Sequence, residues 1–83
     1  MDFPQRLKLC QRERHMTNDA FAKYIGKSRT WLQSIYTNNR NITKYLLSER
    51  TIYDLNELLG IPTKVMEDYN IYISRMRNEI GDR

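Results

Sequence analysis

Residues 17–37, TNDAFAKYIGKSRTWLQSIYT, constrain this chain more than any other stretch. Ala22 and Ile25, then Leu32 and Ile35, form two apolar pairs, each three residues apart, the spacing that puts neighbours on one helix face. Gly26 falls between the pairs, where only glycine enters a left-handed backbone conformation without steric cost. Ser28 follows, and its hydroxyl can accept an orphan backbone N–H at the start of a second helix. Two short helices broken by one glycine and re-capped at once predict a helix-turn-helix over 17–37.

This stretch resembles the DNA-binding core of the lambda-repressor/Cro-like family, also called the XRE family (Cro/C1-type). That family's motif places an alanine, a glycine and two apolar residues where this chain has Ala22, Gly26, Leu32 and Ile35, and Ser28-Arg29 matches its frequent Ser-Arg entry to the recognition helix. The similarity runs from Arg6-Leu7 to Leu58-Leu59-Gly60-Ile61. It implies an all-α, five-helix lambda-repressor-like fold and a recognition helix, 29–37, that enters the major groove of duplex DNA. It also implies a phage or bacterial repressor type of transcription regulator, and related phage repressors tend to dimerise. The chain departs from the family pattern at Gln11, Asn18 and Lys27, where an arginine, a glutamine and an apolar residue are common.

The 83 residues leave room for one small core, and 40% hydrophobic with 29% charged residues suits a folded chain. A single cysteine, Cys10, excludes an internal disulfide framework and suits a reducing cytosol. No apolar run reaches membrane-span length and MDFPQRLK lacks a signal-peptide core, so the expected location is the cytoplasm of a bacterial host cell, in association with DNA. The net charge of +4 is unevenly spread. Residues 1–45 hold nine bases against three acids, whereas 46–83 hold five against seven. Positive charge therefore gathers around the helix-turn-helix, as an anionic partner requires.

Periodicity places helix 1 at about 4–14, with Phe3, Leu7 and Cys10 inward. Helix 2 follows a Thr17 cap, with Phe21, Ala22 and Ile25 inward. Helix 3 spans about 29–37, with Leu32 and Ile35 inward and Arg29, Thr30, Gln33, Ser34 and Thr37 outward. Arginine reaches guanine bidentately, glutamine reaches adenine, and hydroxyls adapt to either, so these five are the expected base readers. Acids would repel phosphates, and 29–37 contains none. Asn18, Lys27, Ser28, Arg40 and Lys44 are the expected phosphate contacts, which set register without reading sequence. Trp31 suits packing more than stacking on DNA, and Tyr36 is open to either role.

Residues 38–48 connect to helix 4, with Tyr45, Leu46 and Leu47 apolar enough to form a packed turn or touch a partner. Helix 4 covers about 48–59, capped by Ser48, built on Ile52, Leu55 and Leu59, and ended by Gly60. Residues 1–61 thus form the DNA-binding unit and 62–83 a C-terminal amphipathic helix. In that helix Met66, Tyr69, Ile73, Met76 and Ile80 recur at alternating steps of 3 and 4, a coiled-coil-like seam. A helix of that length exceeds what so small a domain can cover, so the seam predicts a homodimer interface as well as packing.

The functional expectation is a sequence-specific duplex-DNA-binding regulator. The alternative is an antirepressor-like protein-interaction regulator that keeps the fold without reading DNA, supported by the apolar 45–47 segment and the helix 5 seam. There is no paired histidine, glycine-rich phosphate loop or plausible Cys–His pairing, so neither catalysis, a metal nor a cofactor is expected.

Overall fold

A computed structural model describes residues 1–37 and 46–81, with side chains as far as residue 76. Among the described residues the chain forms five α-helices and no strand: α1 Phe3–Glu13, α2 Asn18–Tyr24, α3 Arg29–Tyr36, α4 Glu49–Leu59 and α5 Thr63–Gly81. Each boundary lies within about one residue of the sequence expectation, the ordinary ambiguity of helix ends. No helix is long and apolar enough to cross a membrane.

Short helices leave a large share of their backbone groups unpaired at the ends, so the caps decide where each one starts and stops. Asp2 opens α1 with a reciprocal capping box: its carboxylate accepts from the Gln5 N–H, and its own N–H donates to Gln5 Oε1, both at 3.0 Å. Thr17, Ser28 and Ser48 cap α2, α3 and α4 by accepting from the backbone N–H three residues on.

The two turns around α2 close in the same way. Gly26, at φ 75°, donates to the Lys23 carbonyl, and Lys27 donates back to that of Ala22 at 2.8 Å. After α1, His15 takes the left-handed position instead, at φ 54°, donating to the Arg12 carbonyl while Met16 reaches back to Gln11. Both are Schellman turns, which reverse the chain while pairing the last carbonyls of a helix. Gly60, at φ 72°, closes α4 by donating to the Asn56 carbonyl, and the Asn56 amide then holds the carbonyl of Ile61 at 2.9 Å.

One core joins all five helices. Phe3 and Leu7 of α1, Phe21 and Ala22 of α2, Leu32 and Ile35 of α3, Leu55 of α4, and Met66 and Ile73 of α5 are essentially inaccessible to solvent. Ala22 is 2% exposed on α2, which packs on α3, and a bulkier side chain at such a buried position would force the packed elements apart. Phe3 and Tyr69 meet with ring centroids 5.1 Å apart and planes tilted by 56°, linking α1 to α5. Trp31 is buried at 9% exposure, in the packing role.

The expected dimer seam is corrected here. Met66, Tyr69 and Ile73 are 0, 7 and 2% exposed within a single chain, and Met76 is half-buried, while the side chain of Ile80 falls outside the described residues. The periodicity marks an inward face, and Met66, Tyr69 and Ile73 pack within the chain and are not free to meet a second copy. Burying each such side chain is worth about 1.5–3 kcal/mol wherever it happens. Doing so within one chain avoids the roughly 4–15 kcal/mol of lost translational and rotational freedom that association costs.

The approach to α4 shows a second amide clamp. Leu47 is buried, whereas Leu46 remains exposed. Asn70 of α5 accepts from the Leu47 N–H at 2.7 Å and donates to its carbonyl at 2.8 Å, satisfying both backbone groups of one residue that lies outside any helix. We predict that Asn70→Ala destabilises the chain by about 2 kcal/mol, since two hydrogen bonds near 1 kcal/mol each are lost and partly buried backbone groups are left unpaired. Urea denaturation of the variant against the parent measures this.

Candidate nucleic-acid interface

The turn at Gly26 and the cap at Ser28 set the rotation of α3 about its axis, and thereby which of its side chains face out. Leu32 and Ile35 are buried, as their spacing requires. Arg29, Thr30, Gln33 and Thr37 are exposed. At 100° per residue these four span a single arc of about 100°, the width of one helix face. The face carries one positive charge and three neutral hydrogen-bonding groups, and the 29–37 segment has no acid.

Ser34 does not belong to that face, contrary to the sequence expectation. It is 9% exposed, and its hydroxyl donates to the Trp31 carbonyl at 2.7 Å. A serine inside a helix often folds back onto the preceding turn in this way. Its position beyond Thr30 on the helical wheel places it beside the buried Trp31, so it lines the inside edge of the face.

Arg29 is held lightly. Its Nε lies 3.5 Å from Asp19 Oδ1, with both side chains largely exposed. An exposed pair of this kind is worth at most about 1 kcal/mol, so the guanidinium can leave it for a better acceptor. Asp19 also serves the positive end of α2.

Lys27, expected at a phosphate, instead braces the turn. Its ammonium donates to Thr51 Oγ1 at 2.7 Å and sits 5.2 Å from the centroid of the Trp31 ring. Thr51 is buried in α4 and also receives the Ser48 hydroxyl. A lysine thus fills the position where an apolar turn residue would pack, with its charge satisfied by a hydroxyl and an aromatic face. Ser28 is exposed, but its oxygen is engaged by the Trp31 N–H. Arg40 and Lys44 lie outside the described residues.

Sequence reasoning missed a relay of side chains between α1, α2 and α3. Gln11 Nε2 donates to the Met16 carbonyl at 3.1 Å and to Asn18 Oδ1 at 2.7 Å. Its Oε1 accepts from the Tyr36 hydroxyl at 2.7 Å. The Met16 carbonyl can only accept, which fixes the Gln11 nitrogen on that side; Asn18 must then present its oxygen to it. The Asn18 Nδ2 group is left as a donor. The available signal was a glutamine one helical turn beyond Leu7 and beside Cys10, a polar residue in the inward register of α1.

Asn18 opens onto a pocket of about 470 Å³ that Gln11 and Tyr36 also line, together with Lys8, Arg12 and His15. Lys8 sits over the Tyr36 ring, 5.4 Å from its centroid. Three basic side chains and an oriented amide donor therefore gather beside the C-terminal end of α3. An anion is the complementary ligand. Among the described residues no cluster of His, Cys, Asp and Glu has the makings of a metal site.

Burial pushes the Tyr36 hydroxyl well above its ordinary pKa, reinforced by Cys10, and burial likewise raises the Cys10 thiol, against the opposing influence of Arg14. The tyrosine thus stays a donor to Gln11. A raised folded-state pKa contributes stability that is complete below the unfolded value near about 10 and is lost as pH rises toward the folded value. Tyr36→Phe should therefore cost about 1 kcal/mol at neutral pH and lose stability less steeply than the parent above about pH 10. Denaturation midpoints across that range, parent against variant, provide the check; parallel curves would contradict it.

No protein-family model, curated protein or solved structure matches this chain.

Proposed function

We propose that this chain is a sequence-specific, double-stranded-DNA-binding transcription regulator of the lambda-repressor/Cro-like helix-turn-helix type. In this reading α2, the Gly26 turn and α3 form the helix-turn-helix, and α3 is the recognition helix. The observation that carries it is the outward face of α3, with Arg29, Thr30, Gln33 and Thr37 in one arc and no acid. Arg29 and Gln33, one helical turn apart, would read base edges, and the two threonines supply adaptable hydroxyls.

The basic pocket supports the same reading. Lys8, Arg12, His15 and the Asn18 amide would hold a backbone phosphate at the flank of the groove, fixing register without reading sequence. This moves the phosphate contacts from Lys27 to the end of α1. The relay through Gln11 would keep Asn18 oriented before DNA arrives, so little ordering entropy is lost on binding. A protein of this kind would act by occupying a promoter.

Selection from a random duplex library at about 150 mM salt, where binding through phosphates alone is suppressed, tests the reading. Enrichment of one sequence supports it. No enrichment counts against it and favours a regulator that engages a protein instead. On the selected site, Arg29→Ala should cost about 1–3 kcal/mol and relax the preference at one base position. Arg12→Ala should weaken binding to all sequences alike and lower the salt slope by about one. Gel-shift titrations over a range of salt concentrations separate the two behaviours.

A further inference from the structure

A second concavity carries charge opposite to that of the pocket beside Asn18. An open groove of about 650 Å³ is lined by the start of α1, the end of α3 and one side of α5. Phe3, Tyr69 and Ile73, all buried, form its floor, and the rings of Phe3 and Tyr69 meet there with centroids 5.1 Å apart. Tyr72, at 56% exposure, and the exposed carboxylates of Asp2 and Asp68 stand at its rim. Among the described residues that line it there is no lysine, arginine or histidine. In a chain of net charge +4 this is a local reversal of sign.

The register of α5 produces this arrangement. Val65, Asp68, Tyr69 and Tyr72 recur at steps of 3, 1 and 3, the spacing that puts residues on one helix face. Asp68 and Tyr72, four residues apart, have Cβ atoms about 5–6 Å from each other, so a carboxylate stands beside an aromatic ring. Asp2 lines the same space from the start of α1, with one oxygen accepting from the Gln5 N–H. The ion pair of Asp68 with Lys64, at 3.3 Å, is exposed and exchanges readily for a better-placed cation. Aromatic faces attract a cation and also accept apolar surface. Rings alone would take any apolar guest, and carboxylates alone any cation. Together they select a cation that carries an apolar body, and they repel an anion. The volume falls within the range of small-molecule sites, about 300–1,000 Å³.

We propose that this groove is a binding site for a small organic cation, a protonated amine or quaternary ammonium with an apolar body. The body lies on Phe3 and Tyr69, and the charge lies beside Tyr72 and Asp68. Tyr36 lines both this groove and the basic pocket, so the two share a wall at the last residue of α3. A ligand in the groove therefore bears on the tyrosine that donates to Gln11. The site stands independently of the DNA reading.

NMR titration of the full chain with phenethylammonium, phenethyl alcohol and phenylacetate tests it, because the three share an aromatic body and differ in the charge of the head. The ammonium should bind with a Kd of about millimolar or tighter and shift the signals of Val65, Tyr69 and Tyr72. It should bind about fivefold more tightly than the alcohol, and phenylacetate should bind more weakly than either. Asp68→Asn should remove most of the preference for the ammonium while leaving the alcohol's affinity unchanged. Tyr72→Leu, which keeps an apolar side chain but loses the ring, should weaken the ammonium more than the alcohol. Both substituted residues are exposed, and circular dichroism verifies that each variant is folded. An ammonium that binds no better than the alcohol, or an anion that binds best, would overturn the proposal. So would the absence of a saturable shift up to about 50 mM, shifts that map away from the groove, or an Asp68→Asn variant that weakens both ligands alike.

Discussion

Three helices of this chain meet at one amide. Gln11 leaves the inward register of α1 and bonds at once to the Met16 carbonyl, the Asn18 side chain and the Tyr36 hydroxyl. It therefore holds the turn after α1, the first residue of α2 and the last residue of α3. Apolar packing is adaptable and permits helices to slide by fractions of a turn, whereas a hydrogen-bonded amide accepts few geometries. The orientation of Asn18, the burial of Tyr36 and the shape of the basic pocket all follow from this one side chain. A buried amide with any partner missing would cost more than it gives, so the three contacts stand or fall together.

The same device recurs at the other end of the molecule. Asn70 clamps both backbone groups of Leu47, and Asn56 holds the Ile61 carbonyl where α4 turns into α5. Each amide satisfies backbone groups that lie outside the helices and would otherwise be left unpaired. A chain with a large core could rely on packing alone; one with so small a core gains specificity from polar groups placed at its edges. Lys27 belongs to this group as well. Its charge is satisfied by Thr51 and the Trp31 ring, which fixes the turn between α2 and α3 against α4.

Local signals along the sequence were read with little error, because each rests on nearest-neighbour chemistry. Thr17, Ser28 and Ser48 cap helices whatever surrounds them, and Gly26 and Gly60 adopt positive φ because no side chain opposes it. Leu32, Ile35 and Leu55 face inward because their spacing leaves no other side of the helix apolar. Ser34 was misread for want of one contact. Counting residues sets it near the edge of the outward arc, and only the position of Trp31 and the pull of its carbonyl turn the hydroxyl inside. Lys27 was misread because the hydroxyl that takes its charge, that of Thr51, lies on α4.

The sequence by itself determined the number of helices, their ends, and which stripe of each is apolar, since propensity, capping and periodicity act over a few residues. Tertiary structure alone decided what each stripe packs against. The seam of Met66, Tyr69 and Ile73 is the clearest instance: a period of 3 and 4 specifies an apolar face and is silent on whether the chain itself or a second copy covers it. Covering it within one chain wins because the tethered helix loses less freedom than a separate molecule would. The polar partners were equally beyond reach of the sequence. An amide at position 11, 56 or 70 advertises hydrogen-bonding capacity, but direction and partner come from where the other helices lie.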